Sequence, residues 1–91
     1  MVLEIKEKIA EVDNGIKPSL AATYNCIGVV YGKRGDIDKE LKYYMKALAI
    51  REKSLGKNHP STKLTYKNIM TTYERLGNEE NANLYKEKAG L

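Results

Sequence analysis

Cysteine, histidine and proline are scarce in this chain of 91 residues, which has one Cys, one His and two Pro. With Cys26 alone, no disulfide can close within the chain, which fits a reducing compartment. Cys26 and His59 together cannot supply the four N or S ligands of a zinc site, so no metal and no cofactor is expected. A nucleophilic Cys26 would need a base beside it. His59 stands in an Asn-His-Pro setting that reads as a turn where a helix begins, so no catalytic residue is assigned. A glycine-rich phosphate loop is missing too, because Gly32-Lys33-Arg34-Gly35 reads as an inter-helix turn. Long apolar runs are also lacking. The longest, Cys26 to Tyr31, is far too short to span a bilayer. The N-terminal MVLEIKEKIAEV lacks the uncharged stretch of a signal peptide. The expectation is a soluble cytoplasmic protein with no membrane partner. Charge of one sign is in small excess, with 16 basic against 12 acidic residues. The balance of +4 reads as a solvated surface rather than a nucleic-acid footprint.

What the chain does have is an internal repeat. Residues 18–49 laid over 60–91, 42 positions on, give ten identities in 32 pairs. They are Pro18/Pro60, Ser19/Ser61, Thr23/Thr65, Tyr24/Tyr66, Ile27/Ile69, Tyr31/Tyr73, Gly35/Gly77, Tyr43/Tyr85, Lys46/Lys88 and Ala47/Ala89. A period of this length marks stacked helical units. Within each unit the pattern is helical. Leu20, Tyr24, Ile27, Gly28 and Tyr31 share one face, followed by a break at Gly32–Gly35 and a helix capped by Asp36 that runs to about Leu55. Pro60 restarts the pattern, Gly77 ends its first helix, and Asn78 caps a last helix carrying Ala82, Leu84, Tyr85 and Ala89. Ahead of both units, Leu3, Ile5, Ile9 and Val12 suit an amphipathic helix stopped at Asp13-Asn14-Gly15. Leu3–Lys8 matches Leu48–Lys53 at an offset of 45, so this leader looks like the back half of an incomplete unit. The division expected is one domain over 1–91: leader 1–17, unit one 18–59, and a truncated unit two 60–91. Five helices and no strand follow.

The stretches TYNCIGVVYGKRGD, KALAIREKSLGKNHPST and TYKNIMTTYERLGN resemble the tetratricopeptide repeat, in the 42-residue form of kinesin light chains. The resemblance implies an all-α right-handed superhelical stack of antiparallel hairpins, about two and a half repeats here. First helices would line a concave groove that binds peptides. The chain departs from the family where two small residues usually cross. Unit one has Gly28 but Glu40, and unit two has Met70 but Ala82. The stem of Glu40 is expected to cover Gly28, and Met70 to cover Ala82.

The groove set implied by the resemblance is Asn25, Val29, Lys33, Leu64, Lys67, Asn68, Thr71 and Arg75, with Ala22 and Cys26 beside them. Asparagine amides both donate and accept, so Asn25 and Asn68 suit an extended backbone. Lys33, Lys67 and Arg75 favour acidic side chains or a terminal carboxylate. Val29 and Leu64 leave room for an apolar anchor. The seven tyrosines fall mostly on core faces, with Tyr43 and Tyr85 off the main stripe and directed toward the adjacent repeat. The function expected is a non-enzymatic protein-interaction module for an extended, acidic peptide. The alternative is a self-associating unit, a homo-oligomer through exposed repeat ends, or part of a longer scaffold whose groove is unused.

Overall fold

The computed structural model describes residues 17–91. The expected leader helix lies outside them, except for Lys17. In chain order α1 spans Lys17–Lys33, α2 Ile37–Leu55, α3 Pro60–Leu76 and α4 Glu79–Lys88. There is no strand among the described residues. Each helix packs on the next, α1 on α2, α2 on α3 and α3 on α4, giving an all-α repeat of two hairpins.

Side chains at the helix starts set the boundaries. The Asp36 carboxylate accepts the Lys39 N–H at 3.3 Å, and the Asn78 amide oxygen accepts the Asn81 N–H at 3.1 Å. His59 does the same for α3, its Nδ1 accepting the Ser61 N–H at 3.1 Å just before Pro60 in the first turn. These bonds satisfy donors that have no partner inside the helix. The α1 and α3 ends repeat as well. Gly35 and Gly77 adopt φ of 82° and 76°, a region costly for residues with a β-carbon. The break after α1 is shorter than expected. Helix continues through Gly32 and Lys33, and only Arg34-Gly35-Asp36 turn the chain.

The core lies at the junction of α2 and α3. Tyr44 and Leu48 of α2 meet Tyr66 and Ile69 of α3, with Leu41, Met45, Tyr73, Tyr85 and Ala89 packed around them. Burial of one such side chain stabilises by about 1.5–3 kcal/mol. Leu20, assigned by periodicity to the core face, is 44% exposed. Tyr43 sits within its own hairpin, whereas Tyr85 packs in its hairpin and also reaches across to α2. Tyr43 lies 5.5 Å from Tyr31 and 6.0 Å from Tyr24 between ring centroids. Tyr85 repeats this at 5.8 Å from Tyr73 and 6.1 Å from Tyr66, and it also reaches the Met45 sulfur at 3.8 Å.

The α1–α2 crossing corrects the expected packing. A β-carbon on Gly28 would lie 2.8 Å from the Tyr44 ring and 3.2 Å from the Glu40 carbonyl. Tyr44, not the Glu40 stem, therefore covers Gly28. The Glu40 carboxylate lies one turn further along, against Gly32, where a β-carbon would collide with it. The Glu40 stem was assigned to Gly28 because that pair occupies the family's crossing positions. The aromatic ring of Tyr44 fills that space first.

Candidate functional site

The expected groove residues fall on the first helix of each hairpin, α1 and α3. A bond between side chains joins the two faces. Asn68 Nδ2 donates to Asn25 Oδ1 at 3.0 Å. Both amides are half-buried. Asn25 keeps its own two N–H donors, and Asn68 keeps its carbonyl oxygen and a second N–H. The pair is thus a bridge between hairpins that still offers donors and an acceptor. Around it, Val29, Lys33, Leu64, Lys67 and Thr71 are exposed, as are Ala22 and Cys26. The Thr71 hydroxyl donates back to the Lys67 carbonyl at 3.0 Å.

Arg75 has a different setting from the one expected. Its Nη1 donates to both carboxylate oxygens of Glu40, at 2.8 and 3.0 Å, and its Nη2 to the Gly32 carbonyl at 3.4 Å. The Glu40 side chain is 5% exposed and the Arg75 side chain 41%. Arg75 thus neutralises a buried carboxylate of the preceding hairpin, and among the described residues Lys33 and Lys67 are the cations left exposed on this face. A signal for this was present in the sequence. A basic residue recurs at Lys33 and Arg75, 42 apart.

A second junction, with no marker in the repeat pattern, joins α2 to α3. Arg51 is 8% exposed, and its Nη1 donates to the Ser61 carbonyl at 3.2 Å and to Thr65 Oγ1 at 2.6 Å. The Thr62 hydroxyl returns a bond to the Arg51 carbonyl at 3.3 Å. Burial lowers the Arg51 pKa from its usual value, though a guanidinium keeps its charge. Next to it the Tyr66 hydroxyl donates to Glu52 Oε2. Burial first, then that bond, raises the Tyr66 pKa. Burial likewise raises those of Tyr44 and Tyr85. The neutral phenol is the form the fold holds at each position. Lys46 lies 5.0 Å above the Tyr43 ring and 5.5 Å above Tyr24, so part of the basic charge is spent on aromatic faces.

Among the described residues no cluster of His, Cys, Asp and Glu could hold a metal ion, and no helix is long and apolar enough to cross a membrane. The only histidine, His59, is engaged as the cap of α3. What the α1 and α3 faces offer is a non-covalent surface of amides, two lysines and exposed aliphatics. No curated protein matches the chain. Residues 19–89 match the tetratricopeptide repeat, in agreement with the period and the paired helices, and the chain belongs to that family.

Proposed function

We propose that this chain is a non-catalytic module that binds an extended, acidic peptide along the α1 and α3 faces. Members of the family are generally protein–protein interaction modules, which supports the class. The 42-residue period supports the kinesin-light-chain-like form of the repeat. The lone cysteine suits a cytoplasmic setting.

The observation that carries the peptide reading is the Asn25–Asn68 bridge. It fixes two helices at a distance one peptide can span. Its remaining amide groups suit a main chain of any sequence, while Lys33 and Lys67 supply preference for acidic side chains. Val29 and Leu64, 36% and 50% exposed, give an apolar anchor somewhere to sit. Selection of displayed random peptides on the chain tests this. Selected sequences should be rich in Asp and Glu. Lys67→Glu should weaken them by about tenfold or more, roughly 1.4 kcal/mol, with Lys57→Glu in the α2–α3 turn as a neutral control. No enrichment, or equal loss in both variants, would remove the proposal.

A further inference from the structure

The charges of α2 read as mixed in the sequence, with Asp38, Glu40 and Glu52 interspersed among four lysines and Arg51. Folding separates them. Glu40 is buried against Arg75, Arg51 is buried against Ser61 and Thr65, and Glu52 accepts the Tyr66 hydroxyl. Lys39, Lys42, Lys46 and Lys53 are all left exposed. Of the three acids, Asp38 alone is exposed with them.

At 3.6 residues per turn the four lysines fall within an arc of about 60°, and Asp38 lies beyond its edge. The arc is opposite the side of α2 that buries Tyr44, Leu48 and Arg51. At 1.5 Å per residue the row is about 21 Å long. One surface pair touches it, Lys39 with Asp36 at 3.9 Å, and both are half-exposed, so little of the charge is offset. Like charges one turn apart, as in Lys39–Lys42 and Lys42–Lys46, disfavour the helix by themselves. Ring faces hold two of the ammonium groups, Lys39 at 5.3 Å from the Tyr31 centroid and Lys46 at 5.0 Å from that of Tyr43. A ring orders an ammonium group and still leaves N–H donors for an oxygen acceptor. The row belongs to α2 alone. Its counterparts on α4 are Asn81, Leu84 and Lys88, with a single cation.

We propose that this lysine row binds the phosphate backbone of a nucleic acid without selecting its sequence. Charge complementarity calls for an extended polyanion, because the row is straight and several turns long. The kind of cation narrows the choice. The row has no arginine to clasp a carboxylate at both oxygens, whereas lysine meets a phosphate as a point charge. A duplex carries one charge per about 1.7 Å of its axis, so a row of this length meets several phosphates. An anionic bilayer would favour an apolar side chain that can insert beside the charges, and the exposed residue within the row is Ala49. Contacts to phosphate alone carry no base information. The surface is separate from the α1 and α3 faces, so the inference stands apart from peptide binding there.

The test is fluorescence anisotropy of a labelled DNA duplex of mixed sequence, titrated with the full chain over a range of salt. The logarithm of affinity should fall with the logarithm of salt at a slope of about −3.6, or about −0.9 for each of four phosphates. Lys42→Gln and Lys46→Gln should each make the slope shallower by about 0.9. Changing all four lysines of the row to Gln should abolish binding. Changing Lys33, Lys57, Lys63 and Lys67 to Gln instead removes the same charge and should leave the slope near that of the parent. All these side chains are exposed, so helicity by circular dichroism should match the parent throughout. Equal losses in the two fourfold variants would mean that net charge alone acts, and would overturn the proposal. So would no binding at low salt. Polyglutamate or anionic lipid vesicles that bind more tightly than the duplex at equal charge, and are lost with the row, would overturn it too, making an acidic protein or a membrane the occupant.

Discussion

Glu40 shows how one side chain can define a junction between repeats. Its carboxylate is buried against Gly32 because that glycine leaves room, and Arg75 of the next hairpin donates to both of its oxygens. Removing one partner of such a pair costs more than the pair contributes, since the other charge is left without compensation. Arg75→Ala should therefore lower unfolding free energy by about 1–3 kcal/mol, the range for hydrogen bonds to a charged group. Urea denaturation of that variant and of Glu40→Ala with Arg75→Ala tests it. The double variant should recover part of the loss, because no buried carboxylate then remains. At this scale the sequence was only partly legible. It marked Arg75 as a cation on the right helix. It did not reveal that the cation was already committed, because pairing across 35 residues depends on how the hairpins stack.

At the level of elements the sequence was far more informative, because caps and turn glycines act through local bonds. Asp36, His59 and Asn78 each accept a backbone N–H where the residue pattern placed a helix start. The misjudged boundary was at Gly32, where glycine serves close packing rather than a turn. The hairpins also trade sizes. Helix α1 has Gly28 and Gly32 facing Tyr44 and Glu40 of α2. In the same register α3 has Met70 and Glu74, and α4 has Ala82 and Lys86. Ala82 is buried and Met70 half-buried. Met70→Gly should open a void at the α3–α4 crossing and weaken the helix itself. Together these lower stability by roughly 1–3 kcal/mol for a half-buried site. A melting temperature equal to or above that of the parent would show that Met70 does not fill the α3–α4 crossing.

For the molecule as a whole, the question is where the stack can grow. Helix α2 turns Leu41, Tyr44, Met45 and Leu48 toward the core it shares with the next hairpin. Moved on by 42 residues, these positions are Asn83, Lys86, Glu87 and Gly90 on and just after α4. Adding a further repeat there would strip water from an amide and two charges with no apolar gain. At these positions α4 is polar where α2 is apolar. Sedimentation equilibrium of the parent should therefore show no concentration-dependent mass that Asn83→Asp abolishes. The variant Asn83→Leu, Lys86→Tyr, Glu87→Met should self-associate, because it restores the α2 face. A triple variant that stays monomeric would mean that α4 does not take the α2 register. The architecture was readable from the 42-residue period. This polarity was present in the sequence as well, but it becomes meaningful only once the structure shows which α2 residues face α3.

The trade of sizes between the hairpins has a consequence for folding. Two units with so many residues in common invite the wrong partners to meet while the chain is collapsing. If α1 chose α4, its glycines would face Ala82 and leave a gap. If α3 chose α2, Met70 and Glu74 would run into Tyr44 and Glu40. Each first helix therefore recognises its own second helix by volume. The repetition that builds the stack is kept from scrambling it by the residues that break the repetition.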